Sequence, residues 1–197
     1  MANWATVSYV IEGPKNILDK IERASIISLS TPYPWEYRHT IDITADEGWE
    51  GNILKLLNIQ WKPRQYVRGF ISTTPQRDAD NVLTLEAQEA WGLTDFRKIL
   101  TREYPDIKIY YVIEDLEDEI FCTNDKEGKY FIDRYFIDAC YEGSYLWEYF
   151  QEEEKAYTYL KSHTDGRIKC KEDIDKYNEE CENTDNYIHL YKFDVEE

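Results

Sequence analysis

Between Asn81 and Cys122 the hydrophobic rhythm of the chain passes from alternation to helical spacing and back. Val82, Thr84 and Glu86 fall opposite Leu83, Leu85 and Ala87, the period of two of a strand with one buried face. Leu93, Phe96, Ile99 and Leu100 then recur at three and four, an apolar stripe that predicts a helix over 93–104. Tyr104-Pro105-Asp106 stops it, because a residue preceding proline is pushed out of the helical region. Ile107, Ile109, Tyr111 and Ile113 restore strict alternation and predict a strand over 107–114.

Upstream, a strand is expected over 5–11. Gly13-Pro14 then turns the chain into a helix over 14–25, since proline suits a first helical turn; Ile17, Leu18, Ile21 and Ala24 form its stripe. Residues 28–47, with Pro32 and Pro34, read as a long connection with a short strand near 40–43, and a short helix follows over 52–57. A strand over 66–72 should pair with 81–87 across the polar, turn-rich loop 72–81. The order is βαββαβ. It predicts an α+β fold of ferredoxin-like type, an antiparallel sheet with helices on one face and residues 28–65 inserted before the second strand.

The second half continues with strands over 119–123 and 129–139, flanking the hairpin-like turn 124–128 and able to lengthen the first sheet. Residues 144–150 fit either a strand or the first turns of a helix over 151–162, which Asp165-Gly166 ends. A helix over 171–181 and a strand over 187–195 complete the chain. No repeat or low-complexity linker is visible, and the join near 115 has no Gly/Pro/Ser run. The expectation is one continuous domain, a ferredoxin-like core over 1–115 with an acidic α/β extension over 116–197 packed on it.

Asn3-Trp4 leads into a strand, a Gly13-Pro14 turn and a helix; Ala90-Trp91, a helix and Tyr104-Pro105-Asp106 follow before an alternating strand. In these features the first 115 or so residues resemble a family of uncharacterised proteins from phage, plasmids and other mobile elements that carry a ferredoxin-like domain. Ala5 and Val7 stand where members usually have Cys and Asn, and Arg68-Gly69-Phe70 stands where a Trp-Gly motif is usual. The resemblance implies the fold and a mobile-element setting; it implies no activity.

Hydrophobic residues make up 42% of the chain, enough apolar surface to argue against disorder. With 17 Tyr, 6 Trp and 7 Phe, many rings must be partly exposed, either on a large half-buried sheet or on an aromatic recognition surface. The net charge of −17 is unevenly spread: residues 1–110 hold 15 acids and 13 bases, residues 111–197 hold 25 acids and 10 bases. A chain this acidic repels nucleic acid phosphates and anionic membrane surfaces and attracts cations and basic proteins. The amino-terminal residues do not read as a signal peptide, and no apolar run is long enough to span a membrane. The expected setting is cytoplasmic, with Cys122, Cys140, Cys170 and Cys181 as free thiols.

Candidate chemistry is sparse. No glycine-rich phosphate loop occurs. Cys181 or another thiol would need His163 or His189 as a base, and Cys122 and Cys140 sit in strand-like runs that favour buried structural thiols. No cysteine pair has zinc-knuckle spacing, and the carboxylates at 78–81, 115–119 and 172–175 match no calcium loop. With 40 acids, some pair will always lie at a catalytic separation, so paired carboxylates carry no signal. No catalytic residue, metal site or cofactor is assigned.

What remains is the acidic set Glu148, Glu152, Glu153, Glu154, Glu172, Asp173, Asp175, Glu179 and Glu180. Glu152 to Glu154 complement a helix start, each charge contributing about 0.3–1 kcal/mol. Like charges repeating at four, as Asp175 and Glu179 do, cost about 0.2–0.5 kcal/mol a pair. Their retention points to solubility or to a partner that neutralises them. The expected function is a non-enzymatic interaction protein that docks a basic protein surface through its acidic half, in a stronger form a nucleic-acid mimic. The alternative is a small-ligand protein or enzyme with an aromatic-lined pocket between sheet and extension.

Overall fold

In the computed structural model, which describes residues 3–30, 47–92, 94–182 and 184–196, alternation sets the first sheet. Along β1 (Trp4–Glu12), Ala5, Val7, Tyr9 and Ile11 are buried. They pair across to Glu89, Ala87, Leu85 and Leu83 of β4 (Val82–Ala90) in an antiparallel ladder. On its other side β1 pairs antiparallel with β5 (Lys108–Asp115), where Ile113 and Ile109 oppose Val7 and Ile11. Short β2 (Gly69–Ile71) flanks β4, giving the order β5-β1-β4-β2 within a larger, mixed sheet. One face of this sheet is therefore largely apolar, interrupted by Glu89 and, at the end of β5, by the buried Asp115.

Helices cover it because their apolar stripes have no other outlet. α1 (Lys15–Ser28) buries Leu18, Ile21 and Ala24 and packs on β4 and on the short α2 (Glu50–Leu56). α3 (Phe96–Glu103) buries Phe96, Ile99 and Leu100 and packs on β5 and α2. Gly48, at φ 73°, makes the turn into α2; its N–H donates to the Ser28 carbonyl (2.8 Å) and its own carbonyl accepts from Ile71 N–H (2.8 Å). The loop expected at 72–81 contains a strand, β3 (Gln76–Ala79), paired with β4. It is polar because its anchor is ionic: Arg77 Nη2 reaches Asp19 and Glu22 on α1, each at 2.7 Å. The strand expected near 40–43 lies outside the described residues.

The chain divides into two units, Met1–Ile120 and Phe121–Glu197. The expected hairpin over 119–139 does not form. β6 (Ile120–Thr123) pairs in parallel with β10 (Asp194–Val195), and β7 (Tyr135–Tyr141) is the central strand of a separate three-stranded sheet. Residues between them are held by side chains instead of a ladder. The Asp125 carboxylate accepts from the N–H groups of Tyr130 (2.7 Å) and Phe131 (2.9 Å), and Arg134 donates to the carbonyls of Asp125 and Phe131 (both 2.6 Å). Burial would raise the Asp125 carboxyl, but these N–H donors and Arg134 hold it below its ordinary value.

Residues 144–150 are a strand, β8 (Ser144–Phe150), joined to β7 by Glu142-Gly143. Both turn residues have positive φ, 48° and 79°, the hairpin geometry whose twist matches the flanking strands. β9 (Tyr187–Lys192) lies antiparallel on the other side of β7, and the strand expected over 187–195 is broken at Phe193. α4 (Glu153–His163) and α5 (Lys171–Glu180) lay Ala156, Leu160, Ile174 and Tyr177 on Ile137, Ala139 and Ile188. Asn178 on α5 fastens β9: its amide donates to the Ile188 carbonyl (2.8 Å) and accepts from Ile188 N–H (2.9 Å). Replacing Asn178 by alanine should cost about 1–2 kcal/mol and raise amide exchange at Ile188 and its neighbours, read by hydrogen exchange.

Candidate functional site

The nine carboxylates singled out from the sequence fall on the helical layer of the second unit and on β8. All are exposed except Asp173, which is half-buried. Glu153 and Glu154 occupy the first turn of α4 and Glu172 and Asp173 that of α5, where carboxylates complement the helix dipole. Asp173 accepts from Lys169 N–H (2.9 Å). Glu152 pairs with Lys155 (2.8 Å) and Glu180 with Arg167, so at least two of the nine have internal cations. The acid excess is less confined than the halves of the chain imply. Residues 121–197 carry 20 acids and 10 bases, a net of −10, because Glu114, Asp115, Glu117, Asp118 and Glu119 belong to the first unit.

The opposite face of the three-stranded sheet is aromatic. Odd positions of β7 face the helices, so Phe136, Asp138 and Cys140 face away, flanked in register by Tyr149, Trp147 and Tyr145 on β8 and by Tyr191, His189 and Tyr187 on β9. Phe136 is the buried floor, with Trp147 and Tyr149 rings at 4.5 and 4.6 Å. Phe121 closes one end against Phe136 and Tyr191, at 5.7 and 4.3 Å. At the centre Tyr187 Oη donates to Asp138 Oδ1 (3.0 Å). Burial, then that bond and the Asp138 charge, push the Tyr187 phenol up to about 12 and keep it a donor.

The first unit contains a different cluster, inside its core. Glu50 at the start of α2 and Glu89 near the end of β4 are both fully buried. They converge because Gly69, the β2 partner of Glu89, has no side chain: a Cβ there would lie 2.5 Å from Glu50 Cδ. Thr94 Oγ1 donates to Glu50 Oε2 (2.8 Å), and Tyr9 Oη donates to Glu89 Oε1. Among the described residues, the cation Arg97 serves both carboxyls. It lies 3.6 Å from Glu89 Oε2, stacks over the Tyr111 ring at 4.3 Å and donates to the Gly92 carbonyl (3.1 Å). Burial raises both carboxyls to about 7, against the opposing pull of Arg97 and, at Glu50, of Thr94 and the Gly69 N–H. Such a pair can store a proton near neutrality, but its burial closes it to a substrate. Sequence reasoning set carboxylate pairs aside; the alternation of β4, carried two residues past Ala87, places Glu89 on the leucine face.

Two recesses lie in the second unit. One, of about 300 Å³, is bounded by α4, α5 and β9, with Tyr157, Lys171, Asp175, His189 and Lys192 among its walls. The other, of about 530 Å³, has Cys181, His189, Tyr145, Tyr187, Glu182 and Asp185 in its lining. Cys122 and Cys140 are buried thiols, and Cys170 and Cys181 are half-buried. Among the described residues no group of three or more His, Cys, Asp or Glu is placed to hold a metal ion, and no helix is long and apolar enough to cross a membrane. No family model, curated protein or solved structure matches the chain.

Proposed function

We propose that this protein is a docking module whose second unit receives a basic protein surface, carried on a ferredoxin-like first unit. The antiparallel order β5-β1-β4-β2, with α1 and α3 as the two crossovers, supports the scaffold reading. The docking reading rests on one observation: eight of the nine acids on β8, at the start of α4 and on α5 are exposed, in a unit of net charge −10. Such a field draws in cationic partners and repels phosphate backbones and anionic membranes.

The test is an oligolysine peptide, a probe of charge alone. Its affinity should fall steeply from about 0.05 to about 0.3 M salt. Neutralising Glu152, Glu153 and Glu154 to Gln should weaken it about fivefold, at about 0.3 kcal/mol per charge. A complex indifferent to both changes overturns the proposal. A second reading, a small-ligand site, draws on the recess of about 300 Å³ whose lining includes Lys171, Lys192 and Asp175.

A further inference from the structure

The aromatic face of the second unit is not used by the acidic helices, which lie on the other side of the same sheet. Tyr145 is 79% exposed and Trp147 54% exposed, far beyond what core packing asks of rings this large. Across β7 their row continues through Cys140 and Asp138 to Tyr187 and His189. No Lys or Arg occupies any outward position of the three strands: six are aromatic, and the others are Asp138, Cys140 and His189. At the hairpin end, the recess of about 530 Å³ adds Glu182, Asp185 and Asn186 beside Tyr145 and Tyr187, again without Lys or Arg.

Ring faces carry negative quadrupole potential, so cations are drawn to them and anions are not. Tyr187 holds one Asp138 oxygen through its hydroxyl, which fixes the carboxylate between the Trp147 and His189 positions. A flat cation that stacks on a ring while its edge donates to a carboxylate fits this arrangement better than a compact ammonium. The net charge of −10 argues against nucleic acid, the other ligand that stacks on aromatic platforms.

We infer that the outward sheet face formed by Tyr145, Trp147, Asp138 and Tyr187 is a binding site for arginine side chains of a basic partner. This rests on the docking proposal and specifies its partner chemistry: the acidic helices attract, and the aromatic face selects guanidinium. The occupant is an arginine-bearing polypeptide segment, with stacking on Tyr145 and Trp147 and N–H donation toward Asp138, Glu182 and Asp185.

The test measures fluorescence anisotropy of three labelled peptides of one sequence, carrying arginine, lysine or neutral citrulline at the same positions. The arginine form should bind about tenfold tighter than the lysine form, and the citrulline form should not bind. Trp147→Ala and Tyr145→Ala should each weaken the arginine form about three- to tenfold while leaving the lysine form unchanged. Both side chains are exposed enough for the fold to survive their loss, checked by circular dichroism. Equal, salt-sensitive binding of arginine and lysine forms, untouched by either variant, overturns this inference and leaves the docking proposal standing. Arginine-selective binding that ignores salt and the Glu152–Glu154 substitutions does the reverse. Absence of binding by any peptide overturns both.

Discussion

Replacing Arg97 by methionine should destabilise the first unit by about 3–5 kcal/mol at about pH 8, and by only about 1–2 kcal/mol at about pH 5. Among the described residues Arg97 is the cation acting on Glu50 and Glu89, and both carboxyls are fully buried. At the higher pH both are ionised, so removing the guanidinium takes away the cation that lowers both carboxyls and leaves them, among the described residues, the donors Tyr9 Oη, Thr94 Oγ1 and the Gly69 N–H. At the lower pH both are protonated, and the variant loses only the stacking on Tyr9 and Tyr111 and the bond to the Gly92 carbonyl. Methionine preserves most of the apolar stem, which keeps the comparison electrostatic. Urea unfolding followed by tryptophan emission reports this unit, since five of six tryptophans (4, 35, 49, 61 and 91) belong to it. An equal loss at both pH values would mean that Arg97 acts through packing alone.

How much of this could be read beforehand depends on whether a residue's partner is near in sequence. The strands expected over 5–11, 81–87 and 107–114 are present, and the helices expected over 14–25 and 93–104 are found as Lys15–Ser28 and Phe96–Glu103, because each carries its own period. β4 pairs with β2 as expected, across the loop between them. β3 was illegible, since its reason for being a strand is the reach of Arg77 to Asp19 and Glu22 on a distant helix. The turn at 124–128 has hairpin composition, yet β6 takes β10 as its partner and β7 takes β8 and β9; composition does not encode partner choice. The abundance of tyrosine left two readings open, a half-buried sheet and a recognition surface. The second sheet answers to the first of these, with one face against the helices and Tyr145 and Trp147 exposed on the other. Glu50 gave no signal: one carboxylate in a seven-residue helix looks solvated until Gly69 and Thr94 are seen to enclose it.

Glu50→Gln should stabilise the first unit by up to about 3 kcal/mol at about pH 8 and leave it unchanged near pH 4.5, the reverse of the usual outcome for losing a buried hydrogen-bonding carboxylate. The folded carboxyl sits at about 7 against an ordinary value of 4.5, so the folded unit holds this proton more tightly than the unfolded chain. The favourable contribution is therefore complete below about pH 4.5 and is lost as pH rises through about 7. Wild-type stability should fall across that window, and the variant should be flatter. The amide oxygen of the substituted side chain can still accept from Thr94 and Gly69, and its NH₂ group can donate, so the gain comes from removing an ionisation. Adding Glu89→Gln should not double it. The double variant leaves the half-buried Arg97 without the two carboxylates it serves, and that loss offsets much of the benefit. A single variant that tracks the wild-type pH profile point for point would place the titration elsewhere in the molecule.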